Sequence, residues 1–408
     1  MPDTPTALET EVPTANSTNY TVLAMISLGH LLNDSIQSLL VPSYPLFRDN
    51  FHLSFTQIGI LTLTYNLTAS LLQPLVGRYT DRHPRPYSLP VGMILSLSGL
   101  LFLAIAPSYN ILLVGASLLG MGSSIFHPES SRVTRQAAGG RFGLAQSIFQ
   151  VGGNTGSSIG PLLAAAVIIP HGQISIAYFA FIPLLGATVL LRVGAWSKKF
   201  LQATLVRPSQ RIPPRVSRKT LGLTFAVLLF LIFSKYFYVA SISSYLIFYL
   251  TDKFGIGVQE AQMRLFIFLA AMAVGTLIGG PVGDRIGRKN VIWVSILGVA
   301  PFTLALPYVD LAWTGVLIAI IGLILASAFP AIVVFAQELI PGRVGTVAGL
   351  FFGLSFGIGG IGAAVLGRLA DLHGIDSVYH ACSYLPLLGI LTIFLPNLRE
   401  AKPATVKV

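Results

Sequence analysis

The sequence predicts an all-α integral membrane protein, with twelve transmembrane helices arranged as two pseudo-symmetric six-helix bundles. Three observations lead there. Of the 408 residues, 53 % are hydrophobic and only 10 % charged, with a mean hydropathy of +0.75. A soluble domain carries roughly 25 % charged residues, because a water-facing surface needs them. Apolar runs of about 20 residues recur along the chain, each able to cross a hydrocarbon core of about 30 Å. They are continuous rather than alternating, which excludes a β-barrel. Finally, Gly77-Arg78-Tyr79-Thr80-Asp81-Arg82-His83-Pro84-Arg85 returns as Gly280-Pro281-Val282-Gly283-Asp284-Arg285-Ile286-Gly287-Arg288, 203 residues later. The shared frame is Gly, three residues, Asp-Arg, two residues, Arg. A repeat at this spacing marks a duplicated unit.

The elements follow in order. Residues 1–19 are polar, with Asp3, Glu9 and Glu11 but no Lys or Arg. A secretory signal needs a basic start and an apolar core, so this segment reads as a disordered cytoplasmic tail. Spans at 20–47 and 55–78 lead to the first Asp-Arg loop. Spans at 86–106, 109–136, 142–169 and 173–196 complete a first bundle, 20–196. The stretch 197–219 holds Lys198, Lys199, Arg207, Arg211, Arg215, Arg218 and Lys219 with three prolines, and reads as a basic cytoplasmic linker. Spans at 220–250 and 259–281 lead to the second loop. Spans at 289–308, 312–338, 343–367 and 377–396 complete the second bundle, 220–397. Residues 398–408 form a second cytoplasmic tail.

Charge placement sets the orientation. Of the 26 Lys and Arg residues, only Arg48, Lys253, Arg264 and Arg368 fall on the side opposite the Asp-Arg loops, and Lys235 falls inside a span. Basic residues concentrate on the cytoplasmic side, so both termini, the linker and both loops are expected there. The net charge of +11 then faces anionic membrane lipid and implies no nucleic-acid partner. Trp196, Trp293 and Trp313 fall at span ends, where interfacial aromatics belong. Cys382 is the single cysteine, so no intrachain disulfide can form.

Polar groups inside spans are costly and mark transport pathways. His30, Asn33, Asp34 and Gln37 share one face of the first helix at i, i+3, i+4, i+7. Asp34 is read as a proton carrier; a structural pair with His30 is the alternative. Span 4 carries His127-Pro128-Glu129. Pro128 frees the carbonyl of Ser124, so the helix should bend there. The repeat keeps this proline as Pro330, with Phe329 and Ala331 beside it, so the fold does not require His127 and Glu129. Proton exchange between Glu129 and Asp34 is one reading, and a gating ion pair of Glu129 with Arg132 or Arg135 is the other.

Lys235 lies too deep to reach an interface, with Tyr236, Tyr238, Tyr245 and Tyr249 nearby. A cation with phenolic donors suits a phosphonate or carboxylate; a permanent pair with Asp34 is the alternative. Gln146, Gln150 and Asn154 share a face of span 5 and are expected to line a cavity. Gly152, Gly156 and Gly160 on another face allow close packing. Tyr65, Asn66 and Gln73 add polar groups in span 2. The two loops, with Gly77, Asp81, Arg82 and Arg85 and with Gly280, Asp284, Arg285 and Arg288, are read as gates. Each Asp can accept bonds from a helix N-terminus or an Arg in one state and release them in another.

The offset is also held at Pro128/Pro330, Arg141/Arg343, Gly143/Gly345 and Gly160/Gly362, each pair 202 apart. Two such halves are the arrangement of the major facilitator superfamily, and the Asp-Arg loops resemble its signature. His30-Leu31-Leu32-Asn33-Asp34, Phe126-His127-Pro128-Glu129-Ser130-Ser131, Gln146 to Asn154 and Phe233-Ser234-Lys235-Tyr236-Phe237-Tyr238 resemble the fosmidomycin resistance protein family, over about residues 25–397. The resemblance implies alternating access, with efflux of fosmidomycin and other small antibiotics or organic anions in exchange for protons across the bacterial inner (plasma) membrane. The glycine run of span 5 resembles the superfamily's antiporter motif. One departure is Ala116, where many superfamily antiporters carry Arg. A proton-coupled symporter importing an organic anion is the rival reading.

An enzyme is not expected. Gly357-Ile358-Gly359-Gly360 lies within an apolar helix with no preceding strand, so it is no phosphate loop. Neither cofactor nor metal is implied. Both halves of one pathway share a chain, so a monomer is expected.

Overall fold

The computed structural model describes residues 17–53, 55–205 and 217–397, and among these no strand occurs. The expected tails and most of the linker fall outside the described residues. Six helices build the first half: α1 (Tyr20–Gln37), α2 (Phe55–Arg82), α3 (Ser88–Ile105), α4 (Tyr109–Ala137), α5 (Phe142–Leu163) and α6 (Phe181–Leu205). The second half has α7 (Arg218–Phe254), α8 (Val258–Ile286), α9 (Arg288–Ile296, resumed at Ala300–Ala305) and α10 (Leu311–Ala326, resumed as Ala328–Leu339). It closes with α11 (Val344–His373) and α12 (Ile375–Ser383, continued by a 3₁₀ stretch Leu385–Phe394).

Local chemistry sets the boundaries. The Asn19 side chain accepts from Val22 N and starts α1, satisfying one of the donors a helix start leaves open. Thr18 and Asn19 also bond to the carbonyls of Ala138 and Ala137 at the end of α4. The first span was expected to reach residue 47. Instead α1 stops at Gln37, and a 3₁₀ turn with a proline in its first positions and a short helix (Tyr44–Phe51) follow. Proline has no N–H to continue an α-helical ladder. Conversely, α6 runs as helix to Leu205, into the stretch expected to be linker.

Among the described residues, nine helical segments are long and apolar enough to cross a bilayer. The exceptions are α1, α2 and α5, which carry the polar faces singled out above. Their reduced hydropathy therefore follows from what they turn inward.

The halves meet along two related seams, α2 against α11 and α5 against α8. One buried apolar core fills the first half and continues into the second near the Asp-Arg loops, through Val291, Ile332, Phe335 and Val347. A separate core around Ile242, Phe268 and Ile321 belongs to the second half alone. The halves are thus fused at the loop end and independent away from it.

Candidate functional site

Three side chains converge between α1 and α4. His30 Nδ1 lies 2.8 Å from the carbonyl of Phe149, and the ring stacks on Phe149 at 4.1 Å between centroids. Its Nε2 stands 3.3 Å from Asp34 Oδ2. His127 mirrors it: Nδ1 is 3.0 Å from the carbonyl of Ser123, and Nε2 is 3.8 Å from Asp34 Oδ1. Asn33 and Ser157 donate to the same carboxylate at 3.0 and 3.4 Å. Both imidazoles are buried, and Asp34 retains 12 % exposure. A carbonyl only accepts, so each Nδ1 carries its hydrogen. A neutral ring would then aim an Nε2 lone pair at a carboxylate oxygen. A proton on either atom would turn the 3.3 Å contact into a hydrogen bond. Among the described residues His127 Nε2 has no hydrogen-bond partner.

The three facing atoms lie within 4.8 Å of one another. Two imidazoles and a carboxylate are also a donor set that a divalent transition metal can take.

Helix packing makes room for this group. A Cβ on Gly153 would sit 2.4 Å from the His30 ring. On Gly152 and Gly156 it would meet the carbonyls of Ser27 and Leu31 at 2.0 and 2.3 Å. The glycine stripe thus seats α5 directly on α1.

Lys235 approaches from the second half. It is 2 % exposed, and its Nζ donates to the carbonyl of Ala326 at 3.4 Å. Pro330, four residues on, cannot donate to that carbonyl, so the break in α10 supplies the acceptor. The rings of Tyr236 and Phe329 lie 5.3 and 5.5 Å from Nζ, within cation–π range. No carboxylate pairs with Lys235 among the described residues, so the pair with Asp34 is not made in this arrangement.

Glu129 is held elsewhere. Its carboxylate accepts from Arg132 Nη2 at 2.6 Å, Arg132 Nε at 3.2 Å and Ser88 Oγ at 2.8 Å, at 1 % exposure. Of the partners considered from sequence, the structure gives it Arg132 and gives Asp34 the two histidines. Nor is the helix interrupted at Pro128: α4 is continuous through it, whereas α10 breaks at Ser327.

The remaining polar residues are distributed as follows. Gln37 accepts from the Tyr65 hydroxyl at 2.8 Å. Asn154 donates to Thr276 Oγ1 across the α5–α8 seam at 3.2 Å and accepts from Gln150 at 3.5 Å. Gln146 accepts from Ser131, which accepts from Gln337 of the second half. Asn66 faces Gly360 of α11. Tyr238 is buried in the separate apolar core of the second half, its hydroxyl without a hydrogen-bond partner among the described residues.

Phe352 and Phe356 were not singled out from sequence, yet their rings lie 5.1 and 5.4 Å from His127. The repeat offers the signal. At the 202 offset they stand where the first half has Gln150 and Asn154, and Phe329 stands for His127. One half presents polar groups, the other an aromatic wall.

The loops act across the seams. Asp81 accepts from Gly345 N, Thr346 N and Thr346 Oγ1 at 2.9, 2.8 and 2.6 Å, capping α11. Asp284 accepts from Gly143 N and Leu144 N, both at 2.9 Å, capping α5. A Cβ on Gly77 would meet the Gly345 carbonyl at 2.1 Å, and one on Gly280 that of Gly143 at 2.2 Å. Each carboxylate therefore latches the opposite half. The second latch is reinforced: Arg288 bonds Asp284 at 2.8 Å and Glu338 at 3.1 Å. Farther along the first seam the glycines of α11 differ. Gly349 and Gly353 still touch α2, but a Cβ on Gly357 would meet nothing within 4 Å.

Comparison with known proteins agrees with this architecture. Residues 26–364 and 226–407 match the Major Facilitator Superfamily. The chain is 59 % identical to the fosmidomycin resistance protein of Escherichia coli (strain K12), over 94 % of each chain. It is 40 % identical to the MFS-type transporter YfnC of Bacillus subtilis (strain 168), over 95 % of this chain and 96 % of that one. Among solved structures, it resembles the outward conformation of the transporter FucP of E. coli, with a TM-score of 0.69 at 16 % identity, covering 93 % of this chain and 98 % of the other. This polytopic membrane protein, a transporter and not an enzyme, belongs to the fosmidomycin resistance protein family of the major facilitator superfamily.

Proposed function

We propose that the chain exports small anionic antibiotics of the fosmidomycin type in exchange for protons. It does so by alternating access, as a monomer in the bacterial inner membrane with the loop end cytoplasmic. The observation that supports the proton coupling is the placement of the Asp34 carboxylate between the buried imidazoles of His30 and His127. His127 lies beside it as an alternative acceptor, so Asp34, His30 and His127 form the proton-handling group. Glu129, held by Arg132, enters only if that pair opens. The assignment of substrate leans on the E. coli relative, whose name is fosmidomycin resistance protein. Lys235, stripped of water and without a carboxylate partner, is the anion contact, with Tyr236 and the aromatic wall beside it. Asn33, Gln37, Asn66, Gln146, Gln150 and Asn154 supply polar contacts; Tyr238 lies too far into the core to do so directly.

In the latched arrangement the loop end is closed. Release of Asp81 and Asp284 from the opposite helices gives the alternate state.

A second reading has one observation behind it. The rings of Phe329 and Phe352 connect Lys235 to His127, so an anion at Lys235 and a proton on the trio could load together, which couples proton and substrate in the same direction. The two readings separate in proteoliposomes loaded with a pH dye. On external addition of fosmidomycin, exchange makes the lumen more alkaline, whereas symport acidifies it. A lumen pH that stays constant while substrate is taken up refutes both.

A further inference from the structure

The two latches differ in charge, and the difference leaves a pocket. Between α2 and α11 at the loop end lies a cavity of about 290 Å³, lined by Arg78, Asp81, Arg82, Gly342, Arg343 and Thr346. Three guanidinium groups share it with one carboxylate. That carboxylate is already committed to Gly345 and Thr346. Among the described residues none of these three arginines has an acidic partner, whereas Arg132, Arg264 and Arg288 each do.

The other seam shows what a balanced version looks like. Pro281 stands at the repeat position of Arg78, and Leu144 at that of Thr346. Arg141, the counterpart of Arg343, is tied to the Tyr20 hydroxyl at 2.9 Å. Arg288 is neutralised by Asp284 and Glu338, and Glu338 is replaced by the neutral Gln136 in the first half. The first seam has therefore gained a cation and lost an anion.

We propose that this pocket binds the phosphate group of an anionic ligand, which completes the latch from outside the chain. Guanidinium forks pair with phosphate oxygens in a bidentate fashion, and the tetrahedral arrangement of those oxygens lets several guanidinium groups approach from different directions. The walls come from both halves, so the pocket exists only while α2 lies on α11. A ligand that binds one state alone shifts the population toward it. The phosphate can come from the headgroup of an anionic phospholipid in the loop-end leaflet or from a soluble phosphate compound.

The test uses full-length protein in nanodiscs, spin-labelled at Lys199 and Asn290, exposed positions near the loop end of each half. One arm uses phosphatidylcholine and a titration with inorganic phosphate. The other omits phosphate and replaces part of the lipid with phosphatidylglycerol. The proposal expects one arm to increase the short-distance, latched population, and that arm names the source. The triple variant Arg78→Gln, Arg82→Gln, Arg343→Gln should need at least about tenfold more ligand for the same effect, as loss of a single charge-assisted contact would produce. Removing charge elsewhere at this end, at Lys198 and Lys219, should leave the response unchanged. If the triple variant does not fold, Arg343→Gln alone carries the same comparison. The proposal is overturned if neither arm changes the wild-type distance, or if the lysine variant loses the response as fully as the arginine variant.

Discussion

Asp81→Asn offers a direct measure of how strongly one latch holds the halves together. The carboxylate accepts two backbone N–H bonds and one hydroxyl bond from the start of α11. Asparagine keeps one oxygen and turns an NH₂ group toward the remaining donors, so at least the Gly345 N–H bond is lost, and the bonds to the surviving oxygen lose their charged acceptor. Hydrogen bonds to a charged acceptor contribute about 1.5–3 kcal/mol each, and partial exposure of Asp81 puts them at the lower end. The latched state should lose roughly 2–4 kcal/mol relative to the open one, a shift of about 30- to 1000-fold in their ratio. Pulsed electron–electron distance measurements between labels at Lys199 and Asn290 report it directly. The expected result is a new long-distance population at the loop end, with little change in melting temperature, because no buried charge is stranded. Asp284→Asn, in contrast, leaves the buried Arg288 with Glu338 as its one acidic partner and should lower the melting temperature as well. A folded Asp81→Asn protein with the wild-type distance distribution would refute the assignment of Asp81 as a latch.

Three further outcomes follow from the same geometry. Gly77→Ala forces a Cβ against the Gly345 backbone, while Gly357→Ala meets open space; transport should fall at least about tenfold in the first and stay near wild type in the second, whose stability rises by up to about 1 kcal/mol from helix propensity, as uptake assays and melting curves would show. Gly153→Ala drives a Cβ against the His30 ring at Cε1 and Nε2 while leaving every titratable side chain in the sequence, so fosmidomycin should no longer change lumen pH, as the dye assay would show. Lys235→Met removes a buried cation held by one carbonyl; anion affinity measured by calorimetry should drop about 10- to 100-fold, with stability unchanged or raised, since an unpaired buried charge is costly.

The sequence disclosed most of the architecture because its signals are local. Apolar runs marked the spans, and the repeat at Asp81 and Asp284 identified equivalent positions in two halves. What it could not convey depends on how helices are rotated against each other. Asp34, Arg132 and Arg135 were all conceivable partners for Glu129. The rotation of α4 decides among them, turning His127 toward α1 and Glu129 toward Ser88 of α3. Tyr238 is only three residues from Lys235, yet that step carries it from the facing surface into the core. The carbonyl that receives Lys235 is invisible to any side-chain pattern: it is a backbone atom 91 residues away, made available by a proline. The end of α1 was misread for a related reason, since apolar residues continue past Gln37 while the prolines interrupt the helical ladder.

The resting place of Lys235 has a consequence for selectivity. Its ammonium has already exchanged bulk water for a carbonyl and two ring faces during folding. An anion arriving at Nζ therefore displaces one weak neutral acceptor and need not strip a hydration shell from the protein, so the larger desolvation cost is the ligand's own. A neutral molecule of the same shape gains nothing at this point, because the carbonyl already satisfies the cation as well as an uncharged oxygen would. With Lys235 as the proposed anion contact, the site would distinguish ligands by charge more sharply than by size.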